Sequence, residues 1–109
     1  MTAIVTVYAT FPTEAEAGRI ARALVEERLA ACANILAACR SIYRWQGAIE
    51  EWDEVAVLFK TGAGRAEALI ARLAELHSYD LPAAVVWPIS KAWPAYASWV
   101  EAETADGAE

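Results

Sequence analysis

Between Ala33 and Lys60 the chain carries two extended runs, Ala33–Trp45 and Ile49–Lys60, joined at Gln46-Gly47. Glycine supplies the positive φ of a tight hairpin turn, so the two runs must pair antiparallel, although Gln-Gly is a weaker turn signal than Asn-Gly. A two-residue turn sets Arg40 opposite Asp53 and puts Tyr43, Trp45 and Trp52 on one side. Opposite charges across the strands and aromatics clustered on one face favour that register. Such a hairpin is sticky, so either it binds something or another copy of the chain covers it.

The flanking segments fix the rest of the fold. Residues 3–10 are rich in β-branched and aromatic types and stop at Phe11-Pro12, as a strand does. Thr13-Glu14-Ala15-Glu16 has the pattern of a capping box, in which Glu16 reaches back to the cap. Ala17, Ile20, Ala21, Leu24, Val25 and Leu29 then recur at helical spacing, which predicts a helix over 14–30. Gly62-Ala63-Gly64 breaks the third strand, and Ala66, Leu69, Ile70, Leu73 and His77 mark a second helix. Ser78–Pro82 ends it. Ala83–Ile89 reads as a strand that lies at an edge or ends at Pro88, which has no N–H for a ladder. A short third helix starts near Pro94, with Trp93, Tyr96, Trp99 and Val100 as its apolar residues, and the tail 106–109 is expected to fray.

The order βαββαβα predicts a ferredoxin-like split βαβ sandwich of the α+β class, one domain over 1–105. It has a four-stranded antiparallel sheet, two helices on one face and a short C-terminal helix. The strands are apolar on both faces. Val55, Val57 and Phe59 oppose Ala56 and Leu58 on the third strand, and Val5 and Val7 oppose Ile4 and Tyr8 on the first. Strands of that kind are normally buried on both sides. Three helices in 109 residues are too few to cover both, so the sequence implies an obligate oligomer.

Charge and composition narrow the function. A formal net charge of −6 argues against nucleic-acid binding, which needs clustered Lys and Arg. No run approaches the roughly 20 apolar residues of a membrane span. MTAIVTVYAT lacks a basic n-region and a separate apolar segment, so it reads as a first strand rather than a signal peptide and implies the cytoplasm. Cys32 and Cys39 form neither a CxxC pair nor a zinc pattern, and with His77 as the one histidine no Cys/His cage can come from a single chain. There is no G-x-S-x-G, P-loop or dinucleotide fingerprint, and no enzyme activity is expected.

Five ordered blocks resemble the CutA family of divalent-cation tolerance proteins. Glu27–Ile35 (ERLAACANI) is similar to E-R-L-A-A-C-x-N-I, and Ser41–Gly47 (SIYRWQG) to S-I-Y-x-W-x-G. Lys60-Thr61 resembles the K-T that closes the third strand, His77–Pro82 (HSYDLP) the H-P-Y-x-x-P block, and Tyr96–Trp99 the final Y-x-x-W. The resemblance implies a homotrimer acting in tolerance or homeostasis of divalent cations such as copper. It also implies, as an alternative, a signalling trimer like the PII proteins, with a small anionic metabolite in a cleft between subunits. The cleft residues expected on that basis are Tyr43, Arg44, Trp45, Lys60, His77 and Tyr79, and the metal ligands are His77 and Cys32. The fold puts Cys32 and His77 at opposite ends of the sheet, so a metal shared between them needs a neighbouring subunit. His77 also reads simply as a histidine at a helix C-terminus, where its charge would suit the dipole.

The chain departs from the family pattern at several positions. Gln46 and Ala48 stand where Glu and Lys usually flank the hairpin glycine. Ala37-Ala38 replaces a Pro-Gly bulge, Ser78 replaces the proline of H-P-Y, and Ala83 stands where glutamate usually follows Pro82.

Overall fold

The computed structural model describes residues 3–105, and the tail expected to fray, 106–109, lies outside them. Its elements are β1 (Ile4–Phe11), α1 (Glu14–Glu26), β2 (Cys32–Trp45), β3 (Ala48–Gly62), α2 (Ala66–Leu76), β4 (Ala84–Pro88) and α3 (Pro94–Glu103). The sheet order is β2-β3-β1-β4, with every neighbouring pair antiparallel. This is the expected split βαβ arrangement. Pro88 sits at the end of an edge strand, paired with Val5.

Alternation along the strands creates two cores. Val5, Val7, Ala9 and Phe11 of β1 and Val55, Val57 and Phe59 of β3 meet Ala17, Ile20 and Leu24 of α1 and Leu69 and Leu73 of α2. Ile4, one residue out of phase, points to the other face and packs with Ala31, Ala97 and Val100. α3 therefore covers one end of the second face. The rest of that face carries Tyr8, Leu58, Val85, Trp87 and Trp52 with no helix above them, and Trp52 is 59% exposed.

Helix α1 starts as expected and ends early. The Thr13 hydroxyl accepts from Glu16 N–H at 3.1 Å, but the Glu16 carboxylate turns away and accepts the Ser78 N–H at 2.9 Å. The helix stops at Glu26 rather than 30. Arg28 takes φ 61°, and the Leu29 N–H returns to the Leu24 carbonyl while the Arg28 N–H returns to Val25. These two bonds form a Schellman cap, usually built on glycine. A non-glycine residue there costs roughly 1–2 kcal/mol. The Arg28 guanidinium uses the position, donating to the Glu103 carbonyl at 3.3 Å and pairing with its carboxylate at 3.2 Å. The end of α1 is thereby tied to the end of α3.

The hairpin has the expected register, with Arg40 opposite Asp53 and Trp45 opposite Ala48. Gln46 and Gly47 both take positive φ, 50° and 84°, as the favoured two-residue hairpin turn requires. Ile35 pairs with Val57 but Ala38 pairs with Val55, so Leu36 and Ala37 together oppose Ala56. That two-against-one count is a β-bulge, and it forms here without Pro-Gly. The bulge reverses the alternation of β2. Ala33 and Ile35 point to the α1/α2 face before it, whereas Ser41, Tyr43 and Trp45 point to the opposite face after it.

The hairpin projects beyond the helices. Ile42 and Ile49, on its helix side, are 65% and 62% exposed, and the molecule measures 44 × 27 × 23 Å. Its accessible surface of 6699 Å² exceeds the roughly 5,900 Å² expected of a monomeric protein of this mass.

Candidate functional site

The outer part of the β2–β3 hairpin, the end of β1 and the α2–β4 connection line a groove of about 700 Å³ on the second face. β1 contributes Tyr8 and Thr10, β2 contributes Ser41, Tyr43, Arg44 and Trp45, and β3 contributes Glu54. The connection adds Tyr79, Asp80 and Leu81. By register Arg44 pairs with Ile49 and belongs to the opposite face of the hairpin from Tyr43 and Trp45.

Glu54 is the buried charge of the groove, at 6% exposure. Its Oε2 accepts the Tyr79 hydroxyl at 2.7 Å. Burial pushes the Tyr79 phenol well above its ordinary range, and the hydrogen bond to Glu54 and the carboxylate charge push the same way. Burial raises Tyr8 and Tyr43 as well, and Glu54 adds to the shift in both. Three phenols thus share the field of one carboxylate.

His77 lies beneath Tyr79 and faces away from the groove. Its ring stacks on Phe11 at 4.8 Å and leans against Tyr79 at 4.7 Å, and its side chain is fully enclosed. Nδ1 accepts the Tyr79 N–H at 3.0 Å, which leaves Nε2 to donate to the Thr10 carbonyl at 2.8 Å. Glu16 Oε2 also lies 3.5 Å from Nδ1, and these partners put the ring's donor proton on Nε2. His77 therefore pins the connection to the end of β1 and presents no free nitrogen.

Of the six expected cleft residues, Tyr43, Arg44, Trp45 and Tyr79 line the groove, His77 sits behind it, and Lys60 lies elsewhere. Lys60 pairs with Thr6, four residues from Thr10 and so about 13 Å along the strand, and donates to Asn34 Oδ1 at 2.7 Å. Cys32 pairs with Lys60 at that far end. Its sulfur lies 3.4 Å from the Tyr96 hydroxyl. Burial and this thiol neighbour push the Tyr96 phenol up to about 12. Cys32 and His77 are thus not brought together, and among the described residues no three His, Cys, Asp or Glu side chains cluster to hold a metal ion. One chain does not fit a metal through these two residues.

Glu54 is not among the residues that the motifs single out, and in the sequence it stands in an acidic run with Glu50, Glu51 and Asp53. The signal was present in the register. If Arg40 faces Asp53, the next residue must share the face of Tyr43 and Trp45.

The family of CutA1 divalent ion tolerance proteins matches residues 5–103. The chain belongs to this family. The divalent-cation tolerance protein CutA of Thermus thermophilus is 44% identical over 95 residues, covering 87% of this chain and 92% of that protein. The crystal structure of CutA from Xylella fastidiosa superposes with a TM-score of 0.91 at 41% identity, covering 94% of this chain and 99% of that one. The structure described as the periplasmic divalent cation tolerance protein CutA of Archaeoglobus fulgidus gives 0.89 at 32% identity, covering 93% and 98%.

Two departures from the CutA pattern have visible consequences. A proline at position 78 would have no N–H, so the bond from Ser78 to Glu16 belongs to this chain's own residue choice. Ala83 lines the groove where the resemblance would put a carboxylate.

Proposed function

We propose that the protein works as a homotrimer in divalent-cation tolerance, copper included, by binding and without a catalytic step. The names of its relatives support the cation role. The observation that carries the assembly is the hairpin, which exposes Trp52 on one side and Ile42 and Ile49 on the other. Exposed apolar surface of that kind marks an interface. Because His77 is enclosed, a metal at Cys32 draws its other ligands from a neighbouring subunit. Free thiols at Cys32 and Cys39 suit a reducing compartment, which supports the cytoplasm. Among the described residues no helix is long and apolar enough to cross a membrane.

Sedimentation from micromolar to nanomolar concentration should show one trimeric species. Calorimetric titration with Cu(I), Cu(II) and Zn(II) should give a saturable site weakened in Cys32→Ser. A compact monomer, or silence toward all three metals, overturns the proposal.

A further inference from the structure

Glu54 is buried, yet among the described residues no Lys, Arg or His forms an ion pair with it. One oxygen takes the Tyr79 hydroxyl, and the other has no partner among the described residues. Glu54 lines the groove together with that tyrosine. A carboxylate held away from bulk water without a counter-charge is expensive, and a bound cation relieves it. The surrounding walls are aromatic, from Tyr8, Tyr43, Trp45 and Tyr79.

We propose that the groove binds an organic monocation, with its ammonium head against Glu54 and its apolar body between Tyr43, Trp45 and Tyr79. Aromatic rings around a carboxylate suit a quaternary or primary ammonium group, because ring faces and carboxylate are negative together. An inorganic divalent ion is the poorer fit, since hard cations take six or more oxygens and among the described residues no three acidic, Cys or His ligands cluster. An anion is poorer still. Lys60 and His77 do not line the groove, and Glu54 and Asp80 outnumber Arg44. The volume of about 700 Å³ falls within the range of small-ligand sites, roughly 300–1,000 Å³. This inference rests on the groove and stands or falls separately from the copper reading.

The test uses the full chain in its native assembly and three probes of one shape. These are choline, its uncharged analogue with carbon in place of the quaternary nitrogen, and the carboxylate of the same skeleton. Ligand-observed NMR should show saturable choline binding, the neutral analogue weaker by about ten-fold or more, as loss of a charge-assisted contact implies, and no binding of the carboxylate. Glu54→Gln should weaken choline by a similar factor and leave the neutral analogue unchanged. Equal binding of choline and its neutral analogue overturns the proposal, and so does preference for the carboxylate. A groove closed to all three, as when a neighbouring subunit's basic side chain fills it, also overturns it. The comparison of probes on unmodified protein holds even if the Glu54 variant fails to fold.

Discussion

The Tyr79 hydroxyl donates to Glu54 Oε2 at 2.7 Å, joining residues 25 apart in sequence. This bond fastens the connection after α2 over β3 and closes one side of the groove. Glu54 is buried, so removing its donor leaves a carboxylate short of a partner. Tyr79→Phe keeps the ring against His77 and deletes only that bond. The variant should lose about 1–2 kcal/mol of stability, read as a lower midpoint in denaturant with an unchanged slope. An unchanged midpoint would show that the bond does not hold the connection.

The same tyrosines predict alkaline sensitivity. Burial raises the phenols of Tyr8, Tyr79 and Tyr96 above their ordinary value of 10.0. The folded state then holds protons that the unfolded chain releases. A raised folded pKa gives stability that is complete below pH about 10 and is lost as pH climbs from there through the folded value. For Tyr96 that value is about 12. Unfolding midpoints should therefore be flat through neutral pH and fall above pH 10, with tyrosinate absorbance appearing late and in step with unfolding. Tyrosinate forming with an ordinary midpoint in still-folded protein would contradict the burial of these rings.

The bulge at Leu36-Ala37 absorbs one extra residue of β2, so that Tyr43 and Trp45 share the face of Glu54. Deleting Ala37 leaves Leu36 alone opposite Ala56 and keeps every pair on either side, Ile35 with Val57 and Ala38 with Val55. Tyr43 and Trp45 then stay on their face, and only the local bend and added twist of β2 are lost. Sedimentation of the deletion variant should show the wild-type assembly, and its loss would mean that the bend itself sets the hairpin in place.

That bulge also shows where the sequence was legible and where it was not. Alternation in Ile4–Phe11 and the apolar stripe of α1 announce themselves, because each residue's phase follows from its own element. The end of α1 does not. Its apolar spacing runs on to Leu29, and the residue that reverses the chain is Arg28, whose left-handed backbone is compensated by contacts with Glu103 far along the sequence. The bulge likewise lacks its Pro-Gly marker. Site residues taken from motifs fared according to facing. Tyr43, Trp45 and Tyr79 meet because strand phase brings them together, whereas Lys60 and Cys32 lie at another level of the sheet. Glu54 stands among acidic neighbours in the sequence, and register makes it the buried centre of the groove.

Assembly gives the last prediction. Trp52 is paired with Ser41 and exposed on the face that carries Tyr43 and Trp45, where it touches neither of the two cores within its own chain. Replacing it with glutamate therefore removes nothing from either core. At an interface, the new charge would be desolvated without a partner. Trp52→Glu should shift the protein to a smaller species in sedimentation and lower its melting temperature. The wild-type melting temperature should rise with protein concentration, because association stabilises only the folded state. In the monomeric variant that dependence should vanish. If Trp52→Glu sediments and melts like the wild type at every concentration, this face is not where the subunits meet, and the exposed hairpin needs another occupant.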